Sequence, residues 1–159
     1  GQGNTSATPL QLAHMASLIA MRGKGFKPHL AKAIVDKNNI TTAMPIEAWQ
    51  MMSIDKKNYA DIIKAMQMVI SGPYKHNTGW RFGKSKYTVA GKTGTAELYH
   101  RKTDNVSNIP RRLRDHALFI GFAPVDKPQV AIAVLIEHEP TAVAVARKIF
   151  DAFFFFDGK

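Results

Sequence analysis

The sequence predicts an α+β fold in which helices pack on an antiparallel sheet. Three observations carry that expectation. Two segments, one near the start and one beginning near residue 55, repeat apolar residues at helical spacing. Two apolar runs, 116–122 and 129–137, flank Pro124-Val125-Asp126-Lys127-Pro128, the pattern of an antiparallel hairpin. A further helical segment follows from Thr141, so the order is helix, helix, three strands, helix.

Each element has its own signal. Thr8-Pro9-Leu10-Gln11 places a capping Thr, a Pro at the first helical position and a Gln three residues after the cap. Leu12, Met15, Ala16 and Ile19 continue that helix, and Gly23 stops it. Residues 26–36 read as extended, and the turn signal Asn38-Asn39 pairs them with 40–42 as a small hairpin. A short element without a clear period follows over 45–52. The second helix spans about 55–70, with Tyr59, Ile62, Ile63, Met66, Val69 and Ile70 on its apolar side, and Ser71-Gly72-Pro73 ends it. Residues 73–86 are loop-like. A polar strand over 87–98 carries Gly91 and Gly94, as expected where another backbone or a ligand comes close. The last helix is expected to bury Val145, Ile149 and Phe153, and Met15, Met51, Met52, Met66 and Met68 to fill gaps in the core.

Composition bounds the function. The 159 residues are 45% apolar and 21% charged, within the range of folded globular domains. With no Cys there is no disulfide framework, no thiolate metal ligand and no thiol nucleophile. The net charge of +10 favours anionic partners. Its one local concentration is Arg101, Lys102, Arg111, Arg112 and Arg114, and no nucleic-acid-binding motif accompanies it, so no nucleic-acid partner is expected. His14, His29, His76, His100, His116 and His138 lack metal-ligand spacing, so neither a metal nor a cofactor is expected.

The chemistry concentrates in Gly91-Lys92-Thr93-Gly94-Thr95-Ala96. A Lys-Thr-Gly strand lines one wall of the site in serine acyl-transfer enzymes that bind penicillin. Lys92 would supply a fixed positive charge for a substrate carboxylate and assist proton movement. The hydroxyls of Thr93 and Thr95 can hydrogen-bond the same carboxylate. Gly94 removes a side chain, so a substrate backbone can lie along the strand as an added β-strand. The Thr95 backbone N–H could form one arm of an oxyanion hole. By itself the tripeptide is a weak signal, and a glycine-containing bend in an edge strand accounts for it more readily.

Its surroundings are more specific. Gly1-Gln2-Gly3 followed by Ala7-Thr8-Pro9-Leu10-Gln11 resembles a segment of the class B penicillin-binding proteins, and residues 87–97 resemble their Lys-Thr-Gly strand with its flanks. The block Arg112-Leu113-Arg114-Asp115-His116-Ala117-Leu118-Phe119 and its continuation to Pro124 resemble the elongation-type subfamily, and Gln129-Val130-Ala131-Ile132-Ala133-Val134 extends the likeness. The division-type subfamily shares the strand but is less like the Arg-Leu-Arg-Asp-His block.

The resemblance implies a D,D-transpeptidase of the penicillin-binding, serine β-lactamase-like fold that cross-links peptidoglycan stem peptides through a serine acyl-enzyme and binds β-lactams. It also implies a glycosyltransferase partner in the elongation machinery and a location at the periplasmic face of the bacterial inner membrane, held by an N-terminal anchor. Such enzymes need a Ser-x-x-Lys nucleophile motif and a Ser-x-Asn motif upstream of the Lys-Thr-Gly strand. The only Ser-x-x-Lys is Ser53-Ile54-Asp55-Lys56, which follows the segment that the nucleophile should precede, and no Ser-x-Asn occurs. Ser53 sits where a helix begins, so capping explains it better. Residues 1–159 are therefore expected to be the C-terminal portion of a transpeptidase domain, without the nucleophile-bearing half. Such a chain should be inactive alone and should self-associate through uncovered apolar faces. The alternatives are a soluble β-lactamase or penicillin-sensing relative, and a non-catalytic basic domain that binds wall polymer.

Overall fold

The computed structural model describes residues 6–50, 54–72, 77–98 and 109–156. Helix α1, Pro9–Ala20, begins with the capping box read from the sequence. The Gln11 N–H donates to Thr8 Oγ1 at 3.2 Å, and the Thr8 N–H donates to Gln11 Oε1 at 2.8 Å. Two groups that the first turn would otherwise leave unpaired are thus satisfied reciprocally.

Four short strands follow: β1 (Lys24–Phe26), β2 (Ala33–Val35), β3 (Thr41–Ala43) and β4 (Ala48–Gln50). The expected hairpin is present, but shorter than read: only β2 pairs with β3, and the Asp36 carboxylate caps the turn by accepting from the Asn38 and Ile40 N–H groups. β1 instead pairs with β4, which the sequence left without assignment. That pairing encloses the β2–β3 hairpin, and a three-residue strand has too few alternations to show a period.

Helix α2, Lys56–Ser71, starts after Asp55 and stops at Gly72. A short 3-10 turn, Trp80–Phe82, leads toward strand β5, Ala90–Ala96. A second 3-10 turn, Arg111–Leu113, precedes β6, His116–Ala123, which turns back into β7, Val130–Ile136. Helix α3, Ala142–Phe155, completes the order. The three long strands form one antiparallel sheet in the order β5-β6-β7.

The pleat of that sheet builds two cores. Phe119 and Val134 face α3, where they meet Phe82, Val143, Ala146 and Phe150. Ala90 and Phe122 face the opposite way, onto Ala20 of α1 and Ile63 and Met66 of α2. Two expectations need correction. The buried stripe of α3 is Ala142, Val143, Ala146 and Phe150, whereas Ile149 and Phe153 are 41% and 53% exposed. Of the methionines, Met66 is buried, Met15 and Met68 are about 40% exposed, and Met51 and Met52 lie outside the described residues.

Candidate functional site

The Lys-Thr-Gly segment is β5, and its place in the sheet decides what it presents. β6 occupies one long side of the strand, and among the described residues no strand pairs with the other. An edge of this kind offers backbone N–H and C=O groups to an extended peptide. The strand is shorter than the expected 87–98 because its first residues leave the sheet. Thr88 turns to accept from the Val125 N–H at 2.9 Å and donate to Asp126 at 3.3 Å, and Tyr87 reaches α3.

Alternation then divides the side chains. Lys92 and Gly94 share a face with Ile120 and Leu118, while Thr93 and Thr95 share the other with Phe119 and Ala117. The two threonine hydroxyls thus stand on one face, where both can address a single anionic group. A cavity of about 810 Å³ opens at this edge, bordered by Ser6, Ala7 and Leu12, by residues 92–96, and by Leu118 and Leu135. A side chain on Gly94 would meet only Leu118, at 3.3 Å, so internal packing does not demand glycine there. The open side is available to a ligand backbone.

Two hydrogen bonds set the polar groups. Lys92 Nζ donates to the Thr93 carbonyl at 2.7 Å, which holds the ammonium along its own strand. Thr93 Oγ1 donates to Thr78 Oγ1 at 2.8 Å. Sequence reasoning missed Thr78, because its link to the strand is long-range and no short motif marks it. The turn residues Asn77-Thr78-Gly79 before an aromatic were the only local signal.

The approach to β5 is fastened to α3. Tyr87 Oη donates to Asp151 Oδ1 at 2.8 Å, and Arg147 Nε donates to Asp151 Oδ2 at 2.7 Å. Arg147 Nη1 also donates to the carbonyls of Phe82 and Lys84, at 2.9 and 2.5 Å. Burial, reinforced by the hydrogen bond to Asp151 and by its charge, holds the Tyr87 phenol well above its ordinary range.

The other polar candidates are spread around this strand. Arg81 Nη1 donates to the Pro140 carbonyl at 2.8 Å, Arg111 Nε lies 3.3 Å from Glu139, and Arg114 Nε donates to the Ile109 carbonyl at 3.3 Å. His116 opens β6 and accepts at Nδ1 from the His138 N–H, 3.2 Å away. Ser53, Arg101, Lys102, His76, His100 and the opening Gly1-Gln2-Gly3 lie outside the described residues. No helix among the described residues is long and apolar enough to cross a membrane.

Comparison with known proteins is consistent with this geometry. Residues 1–154 match the penicillin-binding protein transpeptidase domain. The peptidoglycan D,D-transpeptidase MrdA of Acinetobacter baumannii is 34% identical over 157 residues, which is 95% of this chain and 23% of that protein. The crystal structure of Pseudomonas aeruginosa PBP2 in complex with WCK 5153 superposes with a TM-score of 0.74 at 34% identity, over 99% of this chain and 33% of that one. A complex between PBP2 and MreC from Helicobacter pylori gives a TM-score of 0.70 at 29% identity, over 96% of this chain and 26% of that one. The chain spans about a quarter of the length of the curated relatives it matches.

Proposed function

Because the chain belongs to the penicillin-binding protein transpeptidase family, we propose that it forms the Lys-Thr-Gly wall of a peptidoglycan D,D-transpeptidase that cross-links stem peptides during cell-wall elongation and binds β-lactams. The observation that carries this reading is the open edge of β5, which borders a cavity of about 810 Å³ with Lys92, Thr93, Gly94 and Thr95 in consecutive register. In this reading the stem peptide lies along β5 as an added strand, and its terminal carboxylate meets the hydroxyls of Thr93 and Thr95. The Thr95 N–H donates to the oxyanion of the tetrahedral intermediate, where such a donor is worth about 10²–10³ in rate. Lys92 contributes positive charge at the mouth of the site and aids proton transfer.

The nucleophile and its lysine come, in this proposal, from outside these 159 residues, which form the C-terminal portion of the domain. The position of the single Ser-x-x-Lys supports this, as does the greater length of the relatives. By the same reading the parent protein works at the periplasmic face of the inner membrane, with an anchor N-terminal to this chain and a glycosyltransferase of the elongation machinery beside it.

Fluorescent penicillin tests the reading. The full-length protein should label covalently, a Lys92→Ala variant of it should label at least tenfold more slowly, and the 159-residue chain should not label. Labelling of the short chain would place a nucleophile within it, and an unlabelled full-length protein would overturn the function itself.

A further inference from the structure

Two histidines hold the turn between β7 and α3 to the start of β6. His138 has a φ of +61°, in the left-handed region that residues other than glycine rarely adopt, so the surrounding structure has to keep it there. Two hydrogen bonds do so. Its N–H donates to His116 Nδ1 at 3.2 Å, and its own Nδ1 lies 3.0 Å from the Arg114 carbonyl oxygen. The two rings meet edge to face, with centroids 4.8 Å apart. We infer that this pair is a pH-operated latch: neutral His116 holds the turn against the sheet, and protonated His116 releases it.

The polarity of the two bonds decides which ring responds. A carbonyl oxygen can only accept, so His138 Nδ1 carries a proton, and charging that ring leaves its bond to Arg114 intact. His116 is the opposite case. Its Nδ1 accepts from a backbone N–H, which requires a free lone pair on that atom and places the proton of the neutral ring on Nε2. Protonation sets a second N–H against the first, and the bond is lost. The closed latch therefore binds one proton fewer than the open one, so it closes as pH rises and opens as pH falls. Histidine is the side chain whose charge ordinarily changes between pH 5 and 8. Charged groups surround the pair. Arg114 and Asp115 precede His116, Glu97 follows its cross-strand partner Ala96, and Glu137 and Glu139 flank His138. Arg111 is paired with Glu139 at 3.3 Å, Arg81 donates to the Pro140 carbonyl, and Asp115 is itself engaged. These groups tune the pH of opening, but none restores the lone pair that protonation removes.

The latch sits where it can reach the site. His116 pairs across the strands with Ala96, the last residue of β5, and Ala117 pairs with Thr95. A cavity of about 370 Å³ is bordered by Thr95, His116 and His138 together. Releasing the turn removes one side of that cavity and loosens the end of the sheet that holds the Thr95 N–H in place. Acidification should therefore slow acylation. That consequence rests on the function proposed above, whereas the latch itself does not.

NMR of the isotope-labelled 159-residue chain between pH 8 and pH 5 tests the latch without any acylation step. The His138 amide should lose roughly tenfold or more of its protection from solvent exchange, with the midpoint at which the His116 ring titrates. The Thr95 and Ala117 amides should shift with it. His116→Asn offers an amide oxygen, an acceptor at every pH, so its His138 amide should stay protected throughout. His116→Phe has no acceptor and should leave the turn open throughout, while unchanged spectra of α2 report intact folding. A His138 amide that stays protected in the natural sequence once the His116 ring is charged overturns the latch. So does the same step in His116→Asn. In the full-length protein, fluorescent penicillin labelling should slow on acidification about threefold more in the natural sequence than in His116→Asn. Equal slowing overturns the link to the site and leaves the latch standing. Absence of labelling at every pH overturns the function proposed for β5, and the spectra still decide the latch.

Discussion

Gly91 stands one residue before the lysine of the site, and its missing side chain is occupied by a neighbour. A Cβ there would run into the ring of Phe119 and sit 3.1 Å from the Ile120 carbonyl oxygen. Gly121, the cross-strand partner of Gly91, is covered by the same ring, so Phe119 lies fully buried across a pair of glycines. Overpacking of this kind costs about 1–3 kcal/mol. Gly91→Ala should lower the stability of the chain by that amount in urea unfolding, with m unchanged. The two strand glycines looked alike in the sequence, both open to a close approach. The structure separates them, because a Cβ at Gly91 would run into the Phe119 ring and the Ile120 backbone, whereas one at Gly94 would meet only the Leu118 side chain. Tyr87 allows a second prediction at this scale. Its phenol is held protonated in the fold by burial first and by Asp151 second. The folded state then retains a proton that the unfolded chain releases near pH 10, so stability should fall as pH rises above about 10. In Tyr87→Phe the loss between pH 9 and 11 should be smaller, as read by urea midpoints; an equal loss would show that Tyr87 has no part in it.

Helix α3 shows what an element owes to its surroundings. Its first turns read Ala-Val-Ala-Val-Ala, apolar on every side, so periodicity alone could not say which stripe faces inward. The sheet decides: Phe82 and Phe119 form the surface on which Val143, Ala146 and Phe150 fit. By contrast α1 and α2 were legible nearly to the residue, because a capping box and a terminal glycine are local signals. The β1–β4 pair was not legible, since its partners are three residues long and far apart in the chain. On α3, Arg147 acts as a strap to the segment before β5, through two carbonyls and Asp151. Hydrogen bonds to a charged donor contribute about 1.5–3 kcal/mol each. Arg147→Met keeps the aliphatic length over Phe82 and removes the donors. It should raise amide exchange of residues 83–89 by tenfold or more while the centre of α3 remains protected. Uniformly faster exchange would mean that the strap merely stabilises the whole fold.

At the scale of the whole molecule, surface and charge pull in opposite directions. The chain exposes 12089 Å², roughly half as much again as the ~8,000 Å² expected of a compact monomer of this mass. Large apolar side chains contribute to it: Leu30 is 97% exposed, Phe156 76%, and Ile34, Val35 and Ile40 about 60%. The sheet adds two long edges, since among the described residues neither β5 nor β7 has a second partner. A stable interface needs about 1,600 Å² in total, which this surface can supply several times over, so the chain by itself should associate with copies of itself. The motif order had already suggested an incomplete site, but nothing local in the sequence could size the uncovered surface, which exists only once the strands are paired. Opposing association is the net charge of +10. Like charges repel over a Debye length of about 10 Å at 0.1 M salt and about 3 Å at 1 M, whereas apolar burial is not screened. Association should therefore strengthen as salt is added. Sedimentation velocity at tens of micromolar should show a shift from monomer toward dimer or larger species between 50 mM and 500 mM NaCl. A chain that stays monomeric across that range would mean that its exposed apolar faces are too scattered to form one interface.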